Sequence, residues 1–327
     1  MLPLMAPACN MPWIESPFFR AELEASGLSP ADKQFVRDFA ENGYVIIDTG
    51  IDPAFLDATR EELRPCFGMP THTATDEHHA QHRLLDAWRF NDKVRQIAGN
   101  ADILRRLELL YRRRPIPFQT LNFDVGTQQR THSDMIHFSS IPERFMCGVW
   151  LAFEDVGPDN GPLHYYPGSH KLPFYSMTEI GIKASRSKEL ANVYMDYSDH
   201  YEEFIARVAV SQGIPKHTAQ VKKGQALIWA ANLLHGGEPI LRPGSTRWSQ
   251  VTHYYFEDCV YYTPLFTDFA LKDIFLREIT DICTGMVVPN KYLGETVPLS
   301  DPKQEKSRSL RQRVTDIFSG QSKPAGS

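Results

Sequence analysis

Several features that would assign a chain quickly are scarce here. Five cysteines in 327 residues (Cys9, Cys66, Cys147, Cys259 and Cys283) are odd in number, scattered, and form no CxxC pair. That argues against a disulfide framework and against a structural zinc ribbon, and suits reduced thiols in a cytoplasmic setting. No apolar run approaches the roughly 20 residues a membrane-spanning helix needs. The opening MLPLMAPACNMPWIESPFF has neither a basic n-region nor a long apolar core, so no secretory signal is expected. Charge of one sign is also lacking: 35 Lys+Arg against 40 Asp+Glu leave −5, which gives no general attraction to nucleic acid or to an anionic membrane. There is no internal repeat and no low-complexity block. What is present, 42% hydrophobic and 11% aromatic residues, is the make-up of a globular protein.

Residues 1–27 are expected to be irregular, because Pro3, Pro7, Pro12 and Pro17 discourage a continuous helix. SPADKQFVRDFAENG then carries a helix start, with Ser29 as N-cap and Pro30 in the first turn, and a stop at Asn42-Gly43. YVIID (44–48) has the β-branched density of a buried strand. Asp52-Pro53 opens a second helix that runs to about Leu63. From about Phe118 the texture changes to short β-type runs broken by Gly, Pro and Asn: FQTLNFDV, MCGVWLAFEDV, PLHYYPGS, ALIWAANLL and RWSQVTHYYFED. This spacing predicts a mainly β domain, a sandwich or barrel, over 28–265 with flanking α-helices. A charged, helical-looking insertion occupies 176–215. FALKDIFLREITDI within 266–282 and EKSRSLRQRVTDIFSG suggest C-terminal helices through 318, followed by a disordered tail, 319–327.

The most informative segment is Thr131-His132-Ser133-Asp134. On a strand, positions i and i+2 share a face, so His132 and Asp134 would project an imidazole and a carboxylate toward one point. His235, immediately after the run ALIWAANLL, supplies a third donor. Two histidines and one carboxylate on one face of a metal leave adjacent positions open, as in non-haem Fe(II) oxygenases. Arg247 follows at the start of the next β-run, where a cation can meet a dicarboxylate, and Gly236-Gly237 removes bulk beside the proposed metal.

These segments, ENGYVIID, HSD, GVWLAFEDVGPDNGPLHYYPGSHK, KKGQALIWAANLLHGG and RW, resemble the phytanoyl-CoA dioxygenase family of Fe(II)- and 2-oxoglutarate-dependent oxygenases over roughly residues 30–260. The resemblance implies a double-stranded β-helix core, cupin-like or jelly-roll, with His132, Asp134 and His235 as iron ligands. It implies that Arg247 pairs with the distal carboxylate of 2-oxoglutarate, that Trp150 lies beside that co-substrate, and that Gln119 is a further polar contact. Iron, 2-oxoglutarate and O2 would act together, releasing succinate and CO2. The carboxylate at 134, where related halogenases carry a small residue, favours hydroxylation of an unactivated carbon. The rival readings are a metal-dependent cupin isomerase or lyase without 2-oxoglutarate, and a non-catalytic small-molecule-binding barrel.

His137 and His164 are candidate substrate contacts, and His253 is as suited to a core as to a site. The partner expected is a small organic molecule, with no nucleic acid and no membrane; one sequence leaves the oligomeric state open. EHHAQH (77–82) lacks a metal-site order and suits a polar loop. Arg112-Arg113-Arg114 could meet a phosphate but is better matched to a solvated loop.

Overall fold

The computed structural model describes residues 9–68, 82–183 and 190–299. The first stretch is mostly helical: α1 (Phe19–Ala25), α2 (Pro30–Asn42), β1 (Tyr44–Asp48) and α3 (Pro53–Leu63). Ser29 Oγ accepts the Asp32 N–H at 3.1 Å, and Asp52 Oδ1 accepts the Ala54 N–H at 2.9 Å. Helix α1 corrects the expectation of an irregular 1–27. Pro12 and Pro17 precede it, while FRAELEA contains no proline and buries Phe19 and Leu23.

The middle of the chain holds β2 (Arg83–Leu85), α4 (Asp92–Ala98), α5 (Ala101–Tyr111), β3 (Pro115–Phe123), β4 (Ser139–Ile141), β5 (Met146–Ala152) and β6 (Leu163–Tyr165). The insertion is helical, as expected: α6 (Leu190–Asp196), a π-helical segment Tyr197–Tyr201 and α7 (Glu202–Ser211). Then come β7 (His217–Thr218), β8 (Gln225–Ala230), β9 (His235–Gly237), β10 (Ser249–Phe256) and β11 (Val260–Tyr262).

Six strands form one antiparallel sheet in the order β1-β8-β5-β10-β3-β2, and β7-β6-β9 form a smaller one. Register puts Leu121, Val251, Trp150 and Leu227 in one row of the large sheet. Gln119, His253, Gly148 and Trp229 make the row two residues along, on the same face. That face and the small sheet share an apolar cluster containing Phe123, Trp150, Leu227 and Val251 with Leu163 and Tyr165. The two sheets therefore face each other. The back of the large sheet is covered by helices, with Val36, Phe39, Leu56, Leu107 and Leu110 packed in one cluster with Val149, Leu151, Ile228 and Tyr254. Tyr197, Tyr201 and Ile205 of the insertion pack with Ile136, Tyr166 and Leu234.

The helix expected at 266–282 is absent. Thr263 and Phe275 are joined by a backbone bond of 3.0 Å, and the Arg277 N–H donates to Tyr261 O at 2.7 Å. Asp268 and Asp273 exchange a further pair of bonds at 2.8 and 2.9 Å. The edge next to β11 offers donors and acceptors that outcompete the i→i−4 ladder. Phe269 and Leu271, part of the apolar stripe a helix would bury, are 55% and 56% exposed. Two short hairpins follow: β12 (Ile279–Thr280) with β13 (Val287–Val288), and β14 (Asn290–Tyr292) with β15 (Glu295–Val297). The helix and tail expected beyond residue 299 lie outside the described residues.

Candidate metal centre

His132 and His235 meet through the backbone. The His132 N–H donates to His235 O at 2.9 Å and the reverse bond is 3.1 Å, which sets the two rings 4.5 Å apart. Asp134 is not on a continuous strand with His132, as the sequence reading had it; it begins a 3-10 turn, Asp134–Ile136, capped by Ser133 Oγ. The turn still delivers the carboxylate: Oδ1 lies 3.7 Å from His132 Nε2 and 3.9 Å from His235 Nε2. One donor atom from each residue falls within 4.8 Å of the other two, a spacing that three donors on bonds of about 2 Å to one ion can close.

The second nitrogen of each imidazole is already committed. His132 Nδ1 is 2.8 Å from Arg130 O and His235 Nδ1 is 2.9 Å from Leu233 O. Each Nδ1–H donates to a carbonyl, which leaves Nε2 with a free lone pair facing the centre. Asp134 Oδ2 accepts the Trp229 indole N–H at 2.8 Å and has His253 Nε2 at 3.6 Å. Oδ1 is thereby left as the donor toward the two histidines. Burial works to raise the Asp134 carboxyl, but His235, His132 and His253 outweigh it and hold it well below the usual range. Burial pulls His235 down to about 4 against the attraction of Asp134. His132 moves up: burial opposes this, and the hydrogen bond and charge of Asp134 prevail. Gln129 Nε2 sits 3.3 Å from His132 Nε2.

Arg247 forms the far wall. Extending the alternation of β10 places it on the side of Ser249, Val251 and His253. It is completely buried. Nη1 donates to Gly161 O at 2.7 Å, and the guanidinium lies 5.5 Å from the centre of the Trp150 ring. Its Nε and Nη2 have no partner, and no carboxylate pairs with it among the described residues. Burial alone pulls its pKa down to about 10. Ser249 Oγ, Trp150 Nε1 and His253 Nδ1, on the same face, are also buried without partners. Buried donors left unpaired around a cation are costly by themselves and suit an anionic ligand with several acceptors.

The remaining expected residues separate. Gln119 is half-buried and lies directly opposite His253 in the β3–β10 register. His137 lies just after the 3-10 turn, its ring 4.7 Å from that of Tyr197, and burial pulls it down to about 3. His164 is elsewhere. It pairs with Gly236, one position out of step with the Tyr165–His235 pair, and so faces away from the metal group. There it spans Thr131 Oγ1 and Glu238 Oε1, each at 2.9 Å. Gly236 makes room on that outer side too: a Cβ would come within 2.7 Å of Gln129 O and of the His164 ring. The freed space thus accommodates residues 127–131, not the metal.

Sequence reasoning missed Trp229, Gln129 and the paired phenols Tyr197 and Tyr201, whose rings stack at 5.6 Å; the Tyr201 hydroxyl is buried with no partner among the described residues. A π-helical segment such as the one carrying them is common at functional sites. For His253 a signal existed, since it continues the alternation 247, 249, 251. Of the three arginines 112–114, Arg112 and Arg114 are exposed, as a solvated loop would have them, Arg113 is half-buried, and all three have protein partners. Arg112 pairs with Glu22 at 2.7 Å, Arg113 ties to the carbonyls of Glu257 and Asp258 at 3.1 Å, and Arg114 pairs with Asp281 at 2.9 Å. EHHAQH lies outside the described residues except for His82, which bonds Asp124 at 2.9 Å. The five cysteines are free, and no described helix is long and apolar enough to cross a membrane.

Among solved structures, EctD from S. alaskensis with 2-oxoglutarate and 5-hydroxyectoine aligns over 90% of this chain and 98% of its own, with TM-score 0.57 and 17% identity. The epimerase SnoN of nogalamycin biosynthesis, in complex with Fe3+, alpha ketoglutarate and nogalamycin RO, aligns over 73% of this chain and 88% of its own (TM-score 0.55, 17% identity). The carbocyclase SnoK of the same biosynthesis gives 72% and 87%, with TM-score 0.53 and 20% identity. At such identities the likeness speaks for the fold. No curated protein matches the chain by sequence. With the match of residues 39–247 to the phytanoyl-CoA dioxygenase family model, that fold and a His–Asp–His group able to hold a metal define an iron- and 2-oxoglutarate-dependent oxygenase. The chain belongs to that family, phytanoyl-CoA dioxygenase (PhyH). Iron and 2-oxoglutarate are its cofactors.

Proposed function

We propose that this oxygenase hydroxylates an unactivated carbon of a small organic molecule, with release of succinate and CO2, in a domain of residues 28–265 that has the double-stranded β-helix form. Iron with 2-oxoglutarate supplies the O2-derived oxidising power such a carbon requires. His132 and His235 would hold the metal through Nε2, each ring fixed by its Nδ1–H bond to a carbonyl. Asp134 would give Oδ1, with Oδ2 retained by Trp229. Arg247 would take the distal carboxylate of 2-oxoglutarate with Nε and Nη2, a bidentate pairing that a planar guanidinium favours. Ser249 Oγ is a second donor for that carboxylate, Trp150 a wall beside it, and Gln119 a polar contact nearer the metal. Of the expected substrate contacts, His137 stays in the proposal because it lies on the metal side; His164 is better suited to fastening the loop at Thr131.

The observation that carries this reading is the buried, half-satisfied Arg247 on the same face as a residue that touches Asp134. A cupin isomerase or lyase without 2-oxoglutarate would leave that cation with nothing to neutralise it. The test is succinate formation and O2 uptake with Fe(II) and 2-oxoglutarate. Asp134→Ala and His235→Ala should each abolish turnover; full turnover in either would refute the metal assignment. Normal 2-oxoglutarate affinity in Arg247→Met would refute the co-substrate assignment alone.

A further inference from the structure

Two more guanidiniums point to the metal side of the interior, and neither has an ion-pair partner among the described residues. Arg277 is held at its backbone, with its N–H donating to Tyr261 O at 2.7 Å and its carbonyl accepting the Asn290 side-chain amide at 3.0 Å. Its side chain turns inward onto Phe138, 4.9 Å from the ring centre, and Phe118, 5.7 Å away. Phe138 packs in turn against His253 at 4.8 Å, and His253 Nε2 is 3.6 Å from Asp134 Oδ2. Two aromatic rings therefore separate this cation from the proposed metal carboxylate. Only Nη1 is engaged, with the neutral Thr263 Oγ1 at 3.0 Å, and Nε is buried without a partner.

Arg83 comes from the edge strand of the large sheet. On β2 it is paired with Phe123, so it stands on the interior face of the large sheet. Its side chain makes no hydrogen bond or ion pair among the described residues, although it is half-buried. Arg83 and Arg277 both bear electrostatically on Tyr194 and His137, so the two cations lie near the same two side chains. Other arginines of similar burial are satisfied; Arg144, for example, reaches Glu15 and the His170 carbonyl at 3.0 Å each. The nearby acid, Asp86, is committed to the Thr120 N–H at 3.2 Å and to Arg89 at 3.8 Å. Two like charges that bear on the same side chains, with no ion-pair partner among the described residues, repel unless a ligand brings an anion.

We propose that the substrate is an organic anion whose charged group is held by Arg277 and Arg83, with an apolar body lying along Phe118, Phe138 and Tyr197 toward the metal. The oxidised carbon would then lie several bonds from the anionic group, because the Phe138 and His253 rings intervene. Carboxylate, sulfate and phosphate monoester share the required chemistry. This rests on the oxygenase reading above.

The test uses the full chain loaded with iron and saturating 2-oxoglutarate without oxygen, and calorimetry with hydrocinnamate and its neutral amide, hydrocinnamide. The acid should bind at least about tenfold tighter than the amide, as loss of a charge-assisted pair implies. Arg277→Gln and Arg83→Gln should each lose most of that preference, Arg277→Lys should retain part of it, and the exposed Arg242→Gln should keep it. The same comparison with phenethyl phosphate and phenethyl sulfate ranks the anion classes. Equal binding of acid and amide by the wild type, binding of neither, or an unchanged preference when Arg277 and Arg83 are both replaced would overturn the proposal. The two readings separate cleanly. A wild type that takes up no 2-oxoglutarate refutes the oxygenase site; one that does, yet shows no acid preference, refutes the anion pocket.

Discussion

Trp229→Phe removes the indole N–H together with part of the ring, so metal affinity and folding stability are read separately to isolate what the donor contributes to the metal group. The donor is 2.8 Å from Asp134 Oδ2, and both residues are almost completely buried. A buried hydrogen bond to a charged acceptor contributes about 1.5–3 kcal/mol. The carboxylate that loses it can rotate away from His132 and His235, so the energy should appear as metal affinity. At about 1.4 kcal/mol per tenfold, iron binding should weaken by about 10–100-fold. The smaller ring leaves some space beside Gly148, where a Cβ would overlap the indole, and folding stability should fall by about 1–2 kcal/mol. Anaerobic titration with Fe(II), with Co(II) as a spectroscopic surrogate, reads the first effect and urea unfolding the second. At saturating iron, the 2-oxoglutarate Kd should change far less than the metal Kd. A folded Trp229→Phe protein with unaltered metal affinity would refute the claim that the indole positions Asp134.

Other perturbations follow from the same geometry. Gly148→Ala should push the Trp229 ring aside and reproduce the weaker metal binding, with about 1–3 kcal/mol of lost stability from overpacking; normal iron affinity would contradict it. Arg247→Met should lower 2-oxoglutarate affinity by about 100-fold or more while leaving the cofactor-free protein as stable or up to about 3 kcal/mol more stable, because an unpaired buried charge is gone. A large destabilisation of that variant would show the arginine to be structural. His170, 2% exposed and pulled down to about 4 by burial, stays neutral in the folded chain. The unfolded chain binds that proton first, near pH 6.5, so the contribution is complete above that pH and is lost as pH falls toward 4, amounting to about 3 kcal/mol. Urea midpoints between pH 7.5 and 4.5 should show a shallower slope for His170→Gln than for the wild type, and identical slopes would reject the assignment.

What could be read from the chain alone was chemistry carried by neighbours in sequence or by one strand's alternation. Ser29 and Asp52 cap helices from adjacent positions, and His132, Asp134 and His235 have the residue types and order of a metal group. The failures came where a distant partner decides. Asp134 owes its orientation to Trp229, across the interior, and its charge environment to His253 on β10; both depend on register between strands far apart in sequence. His164 lies on the wrong face for substrate because its pairing with Gly236 is one step out of phase with His235. The stretch 266–282 has helical periodicity, yet its Arg277 N–H is drawn to Tyr261 O, so tertiary pairing overrides local preference. The four prolines of 1–27 discourage one continuous helix, yet a proline before the first turn leaves the residues after it free to coil, and Phe19–Ala25 do so.

The electrostatics of the interior explain why metal and co-substrate should bind as a unit. Without them, Arg247 carries one positive charge with no counter-ion among the described residues, and Asp134 one negative charge surrounded by histidines. A divalent metal alone would add two positive charges to a buried space that already contains Arg247. A dicarboxylate alone would satisfy Arg247 but bring its second carboxylate beside Asp134. Together the two add no net charge, and each removes the repulsion the other would face. The proposed iron and 2-oxoglutarate sites should therefore bind with positive coupling, and by linkage each should tighten the other by the same factor. Because that coupling acts through charge, a neutral residue at 247 should reduce it even for metal binding, although Arg247 touches no proposed metal ligand. The same logic extends to Arg277 and Arg83: with metal and dicarboxylate cancelled, these two cations have no ion-pair partner among the described residues, and the proposed anionic substrate would offset part or all of their charge.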